Sequence, residues 1–77
     1  MDEIKLRYFI SVAKWRNFAQ AAMDQHVVPS TISRQIAALE EEFGTPLFTR
    51  TTHRVDLTEA GARLYDRLFL PKIYSYD

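Results

Sequence analysis

Seventy-seven residues suffice for one small domain with a modest core, and the absence of cysteine removes disulfides, thiolate metal sites and thiol nucleophiles. Ten basic residues balance ten acidic ones, so a bulk polycation is excluded, and any affinity for nucleic acid must come from how charge is placed. No apolar run approaches the roughly 18 residues of a membrane span, and the start, MDEIKLRYF, is acidic and then amphipathic rather than a secretory signal, so a cytoplasmic chain is expected.

Residues 3–14 read as the first helix. Leu6, Phe9, Ile10 and Ala13 recur at i, i+3, i+4 and i+7, with Asp2 and Glu3 suited to its positive end and Lys14 to its negative end. Trp15 and Arg16 leave it. Asn17 is a good N-cap for a second, short helix, FAQAAMDQ, whose inner face is Phe18, Ala21 and Ala22. Trp15 and Phe18 stand near basic residues, but core packing is expected of them rather than stacking on bases.

A short connection over 25–28 leads to PSTISRQIAALEEEF, residues 29–43. Ile32, Ile36, Leu39 and Phe43 form one apolar stripe at helical period, and Ser30, Ser33, Arg34 and Ala37 lie opposite. Arg34 falls about 200° around the helix from Ile32, so it points away from the core. Gln35 borders the stripe and suits packing as well as binding. Pro29 fits the first helical position, which makes Val28 the N-cap, and a valine leaves the N–H groups of Ser30 and Thr31 without a side-chain acceptor. Gly44 is a helix stop. Glu40, Glu41 and Glu42 read as a solvated face. Two helices joined so closely form either a helix-turn-helix or an ordinary hairpin within a small bundle.

Beyond Gly44 the period changes. Thr45 and Pro46 make a turn, and Phe48, Val55 and Leu57 are apolar at strand spacing around a polar tip at 51–53, which predicts a short β-hairpin. Thr58 caps a last helix with Glu59 in its first turn. Leu57, Ala60, Leu64 and Leu68 mark its inner side, Tyr65 and Phe69 widen its apolar surface, and Pro71 is expected to interrupt it. The fold class is therefore mainly α with a small β-hairpin, a winged helix-turn-helix: a three-helix core and wing over 1–57, a flanking helix over 58–70, and an irregular tail over 71–77. From Lys5 to Arg54, seven basic residues face four acidic ones, a mild positive excess.

The pieces LRYFISVA, NFAQAA, PSTISRQIAALEEEFGTPLFTR and RVDLTEAG, in this order from Leu6 to Gly61, resemble the N-terminal DNA-binding domain of LysR-type transcriptional regulators of bacteria. Within that family, PSTISRQI is similar to regulators of branched-chain amino-acid synthesis. The resemblance implies that the start of the third helix enters the major groove of double-stranded DNA. There Pro29, Ser30, Ser33 and Arg34, with Thr31 beside them, would meet bases and nearby phosphates. It implies that Arg50, His53 and Arg54 lie in a wing that follows the backbone or the minor groove. Thr58 would begin a linker helix that pairs two subunits. The chain departs from the family twice. Val28 stands where serine or threonine is usual, and the longer linker helix and large effector domain are absent from these 77 residues. A monomer or weak homodimer through 58–70 is expected, with no cofactor and no small-molecule effector site.

His26 and His53 have no partner at metal-ligand spacing, so no metal site is expected. Serine, histidine and aspartate occur without a nucleophile elbow, so an enzyme is not expected. The alternatives to DNA binding are a winged-helix protein-interaction module that works through Leu64, Tyr65, Leu68 and Phe69, or a truncated regulator with no role of its own. Salt-dependent retention on DNA supports DNA binding over the interaction module.

Overall fold

Capping residues set the helix starts. In the computed structural model, which describes residues 2–51 and 54–74, the order is α1 (Glu3–Trp15), α2 (Phe18–Gln25), α3 (Pro29–Phe43), β1 (Phe48–Arg50), β2 (Val55–Leu57) and α4 (Glu59–Tyr74). Asp2 caps α1 by accepting from the Ile4 N–H at 3.0 Å, and Asn17 caps α2 by accepting from the Gln20 N–H at 2.8 Å. Each of the first three helices ends on a left-handed residue: Arg16 at φ 53°, His26 at φ 61° and Gly44 at φ 72°. After α2 and α3 the next N–H reaches back five residues, Val27 to Ala22 and Thr45 to Glu40, which closes the carbonyl end.

One side chain stripe per helix makes the core. Phe9 and Val12 of α1, Ala21 and Ala22 of α2, and Ile32, Ile36 and Leu39 of α3 are buried together with Leu47, Phe48 and Leu64. The small alanines of α2 let its neighbours approach. Ser11, the buried polar residue of this set, donates to Asp24 at 3.0 Å and so ties α1 to α2. Hydrogen bonds from Gln25 and then Ser11 hold the Asp24 carboxyl below its ordinary range. Phe43, the last residue of α3, closes the expected stripe but is 38% exposed. Trp15 departs from the core-packing expectation more plainly. It is the last residue of α1 and 40% exposed, with the Lys14 ammonium 5.4 Å from its ring.

The hairpin is antiparallel, with Phe48 opposite Leu57, Thr49 opposite Asp56 and Arg50 opposite Val55. Phe48 anchors it to the helices through Phe9, at 5.3 Å between ring centres, and Phe18, at 6.2 Å. The start of α4 is held just as firmly. Thr58 accepts from the Gly61 N–H at 3.0 Å and donates to the Pro46 carbonyl at 2.7 Å. Gly61 is required there, since a Cβ would stand 2.1 Å from the Leu47 carbonyl oxygen. The far end corrects the sequence expectation. Helix α4 continues past Pro71 to Tyr74 instead of giving way to an irregular tail at 71. Proline removes one N–H and crowds the carbonyl four residues back. That weakens the helix locally, while the residues beyond can keep helical dihedrals.

Candidate nucleic-acid interface

The N-terminal end of α3 is uncommitted to the rest of the protein. Ile32, Ile36 and Leu39 are fully buried, which turns Ser30, Ser33, Arg34 and Ala37 outward; Pro29 is exposed and Thr31 half-buried. Val28 is the N-cap, in extended conformation, with no side-chain hydrogen bond, and Pro29 occupies the first turn. The Thr31 N–H is taken by the Val28 carbonyl at 3.0 Å, so of the two donors expected to be open only that of Ser30 is left without an acceptor among the described residues. There is no acidic residue in the first turn of α3, and Arg34 has no ion-pair partner among the described residues. The positive end of the helix dipole, a free donor, two hydroxyls and a guanidinium thus share one exposed surface. That set suits an anionic, hydrogen-bonding partner.

Of the three glutamates at the other end of α3, Glu41 is exposed as expected, but Glu40 and Glu42 are not merely solvated. Glu40 accepts from the Leu47 N–H at 2.8 Å and the Phe48 N–H at 3.2 Å, and its other oxygen lies 3.6 Å from Arg50. Glu42 pairs with Lys5 of α1. The hydrogen bond that Lys5 donates to Glu42 raises the pKa of Lys5 above its ordinary value. Arg50 also lies over the Phe18 ring at 4.8 Å. It braces the hairpin against α2 and α3 with about half of its side chain still exposed.

Arg54 is a freer wing residue. Its side chain is 64% exposed, and its Nε lies 2.7 Å from the Asp56 carboxylate. Arg16, from the end of α1, reaches the same carboxylate at 3.2 Å. The hydrogen bond from Arg54, aided by the charges of Arg54 and Arg16, holds the Asp56 carboxyl below the usual carboxylate range. A groove of about 330 Å³ separates the α1–α2 turn from the hairpin and is lined by Arg16, Asn17, Phe18, Arg50, Thr51, Arg54 and Val55. His53 lies outside the described residues. Arg16 has one local signal in the sequence, the need for a left-handed residue between two closely spaced helices. A second concavity, about 490 Å³, runs between α1 and α4, with Leu6, Ile10, Leu68 and Phe69 on its walls.

Residues 4–62 match the family model described as a bacterial regulatory helix-turn-helix protein of the lysR family. The chain is 50% identical over 64 residues to the HTH-type transcriptional activator IlvY of Salmonella typhimurium, a match covering 83% of this chain and 22% of that protein. It is 51% identical over 61 residues to the HTH-type transcriptional regulator BudR of Klebsiella aerogenes, covering 79% of this chain and 43% of BudR. It therefore spans less than half the length of either relative. Among solved structures, the CbnR DBD–DNA complex superposes with a TM-score of 0.82 at 38% identity, covering 99% of this chain and 88% of that one.

Proposed function

The chain belongs to the LysR family of bacterial regulatory helix-turn-helix proteins, and from that premise we propose that it binds double-stranded DNA sequence-specifically as the DNA-binding part of a cytoplasmic transcriptional regulator. Its action is binding, with no chemical step. The observation that carries this reading is the N-terminal end of α3, where the Ser30 donor, Ser33 and Arg34 are all exposed while the opposite face is sealed in the core. In a major groove, Arg34 would read guanine through O6 and N7, and Ser30, Ser33 and the helix start would position the backbone. Thr31 and Pro29 belong to the same end, and Arg54, with His53 and the exposed half of Arg50, forms the wing contact.

The test is a binding-site selection followed by Arg34→Ala. Loss of about 1–3 kcal/mol on the selected site, with relaxed preference at one base pair and little change on random duplex, is expected. Equal loss on every sequence reduces Arg34 to a phosphate ligand.

Pairing of two copies through α4 is part of the proposal, since Tyr65 and Phe69 stack at 4.5 Å between ring centres on its surface and Phe69 is 38% exposed. The pairing is weak. The 16 residues of α4 make a helix about 24 Å long, a seam of only about four turns.

A further inference from the structure

We propose that the groove between the α1–α2 turn and the hairpin seats a DNA backbone phosphate between Arg16 and Arg54, and that Asp56 is the internal counter-ion that holds this place in the free protein. The proposal rests on the DNA-binding reading and adds two residues to it, Arg16 and Asp56.

Arg16 sits where the chain needs a left-handed residue, at φ 53° and ψ 35°. Glycine takes that conformation freely, whereas a residue with a Cβ is disfavoured there. A long cationic side chain in such a position points to a role for the side chain itself. Its guanidinium crosses to β2 and donates to Asp56 Oδ1 at 3.2 Å, although the two residues are 40 apart in sequence. Arg54 donates to the same oxygen at 3.1 Å and approaches Oδ2 at 2.7 Å. One carboxylate thus gathers two guanidiniums from different elements. A phosphodiester presents the same pair of anionic oxygens to donors of this shape.

The clamp can open. The two arginine side chains are 63% and 64% exposed, and ion pairs at such exposure are weak and screened. The surroundings favour an anion. Arg50 adds a third cation beside Thr51, and Asn17, whose carbonyl oxygen is used in capping α2, keeps its amide N–H groups for an acceptor. Against the three arginines stand Asp56 and, at 3.6 Å from Arg50, Glu40. The groove therefore remains positive while Asp56 is charged. As phosphate enters, the arginines exchange one anion for another, and Asp56 limits how tightly they hold backbone of any sequence.

The experiment titrates a labelled mixed-sequence duplex with the wild-type chain, Arg16→Gly and Asp56→Asn between about 50 and 200 mM salt. Glycine relieves the left-handed strain, so Arg16→Gly should melt no lower than wild type. It should nonetheless bind every duplex severalfold more weakly, with a salt slope smaller by about one. Asp56→Asn should bind more tightly at low salt, with a steeper slope. Arg16→Gly with unchanged affinity and slope overturns the seat. Weaker binding by Asp56→Asn overturns the counter-ion role and makes Asp56 a brace of the wing. A wild-type chain that binds no duplex removes the DNA-binding reading itself, whereas one that binds while Arg16→Gly matches it removes this inference alone.

Discussion

Replacing Val28 by threonine should stabilise the protein. Val28 is the N-cap of α3, at φ −78° and ψ 152°, and offers no acceptor to the helix start. The same chain shows what an acceptor there achieves. Asn17 takes the Gln20 N–H at 2.8 Å and Thr58 takes the Gly61 N–H at 3.0 Å, each three residues on. Threonine keeps the branched shape at Cβ and exchanges one methyl group for a hydroxyl. Because Val28 is 60% exposed, little burial is lost. A polar cap is typically worth about 1 kcal/mol. The Thr31 N–H already has the Val28 carbonyl at 3.0 Å, so the lower half of the usual range applies, about 0.5–1 kcal/mol. For a domain of this size that is an increase in Tm of about 2–8 °C. Thermal melts followed by circular dichroism measure it, with Ser30→Ala as the control. If α3 began one residue later, Ser30 would be the cap, Ser30→Ala would be the damaging change and Val28→Thr would do nothing. A Val28→Thr protein no more stable than the parent refutes the capping argument.

Gly61→Ala should destabilise the fold by about 1–3 kcal/mol, the usual effect of overpacking, because its Cβ would meet the Leu47 carbonyl oxygen at 2.1 Å and push α4 off the turn that carries the hairpin; an unchanged denaturant midpoint would show that α4 shifts freely. Sedimentation equilibrium should find mostly monomer at micromolar concentration and dimer only well above it, and Phe69→Ser should abolish the dimer without lowering Tm; a tight dimer at micromolar concentration would mean that α4 alone suffices for pairing.

The three helices were legible because each must bury one stripe, and a stripe leaves a period of 3.6 in the sequence. Ile32, Ile36 and Leu39 identify the inner face of α3, and that inner face fixes the outer one, so Ser30, Ser33 and Arg34 fall on an exposed face whatever the neighbours are. The period does not say how much of a stripe the neighbours cover, and Phe43 and Trp15, each the last residue of its helix, are exposed after all. Pro71 was legible as a missing donor but not as a helix end, since the turns before it already fix the helix direction.

Charged side chains obey a different logic. Glu40, Glu41 and Glu42 are indistinguishable in sequence, and only the reversal at Gly44 brings the Leu47 and Phe48 N–H groups back onto Glu40. Lys5 meets Glu42 across 37 residues and Arg16 meets Asp56 across 40. No local pattern encodes such pairs, because a surface ion pair contributes too little to shape the helices that carry it. The consequence differs for the two halves of the candidate interface. The recognition surface of α3 follows from where apolar residues must go. The wing's arginines depend instead on which carboxylate each one meets: Arg50 is drawn inward by Glu40 and the Phe18 ring, while Arg54 is held at the surface by Asp56. Three arginines that look alike in sequence thus differ in how freely they can meet a phosphate: Arg34 without an ion pair among the described residues, Arg54 through exchange with Asp56, and Arg50 only in part.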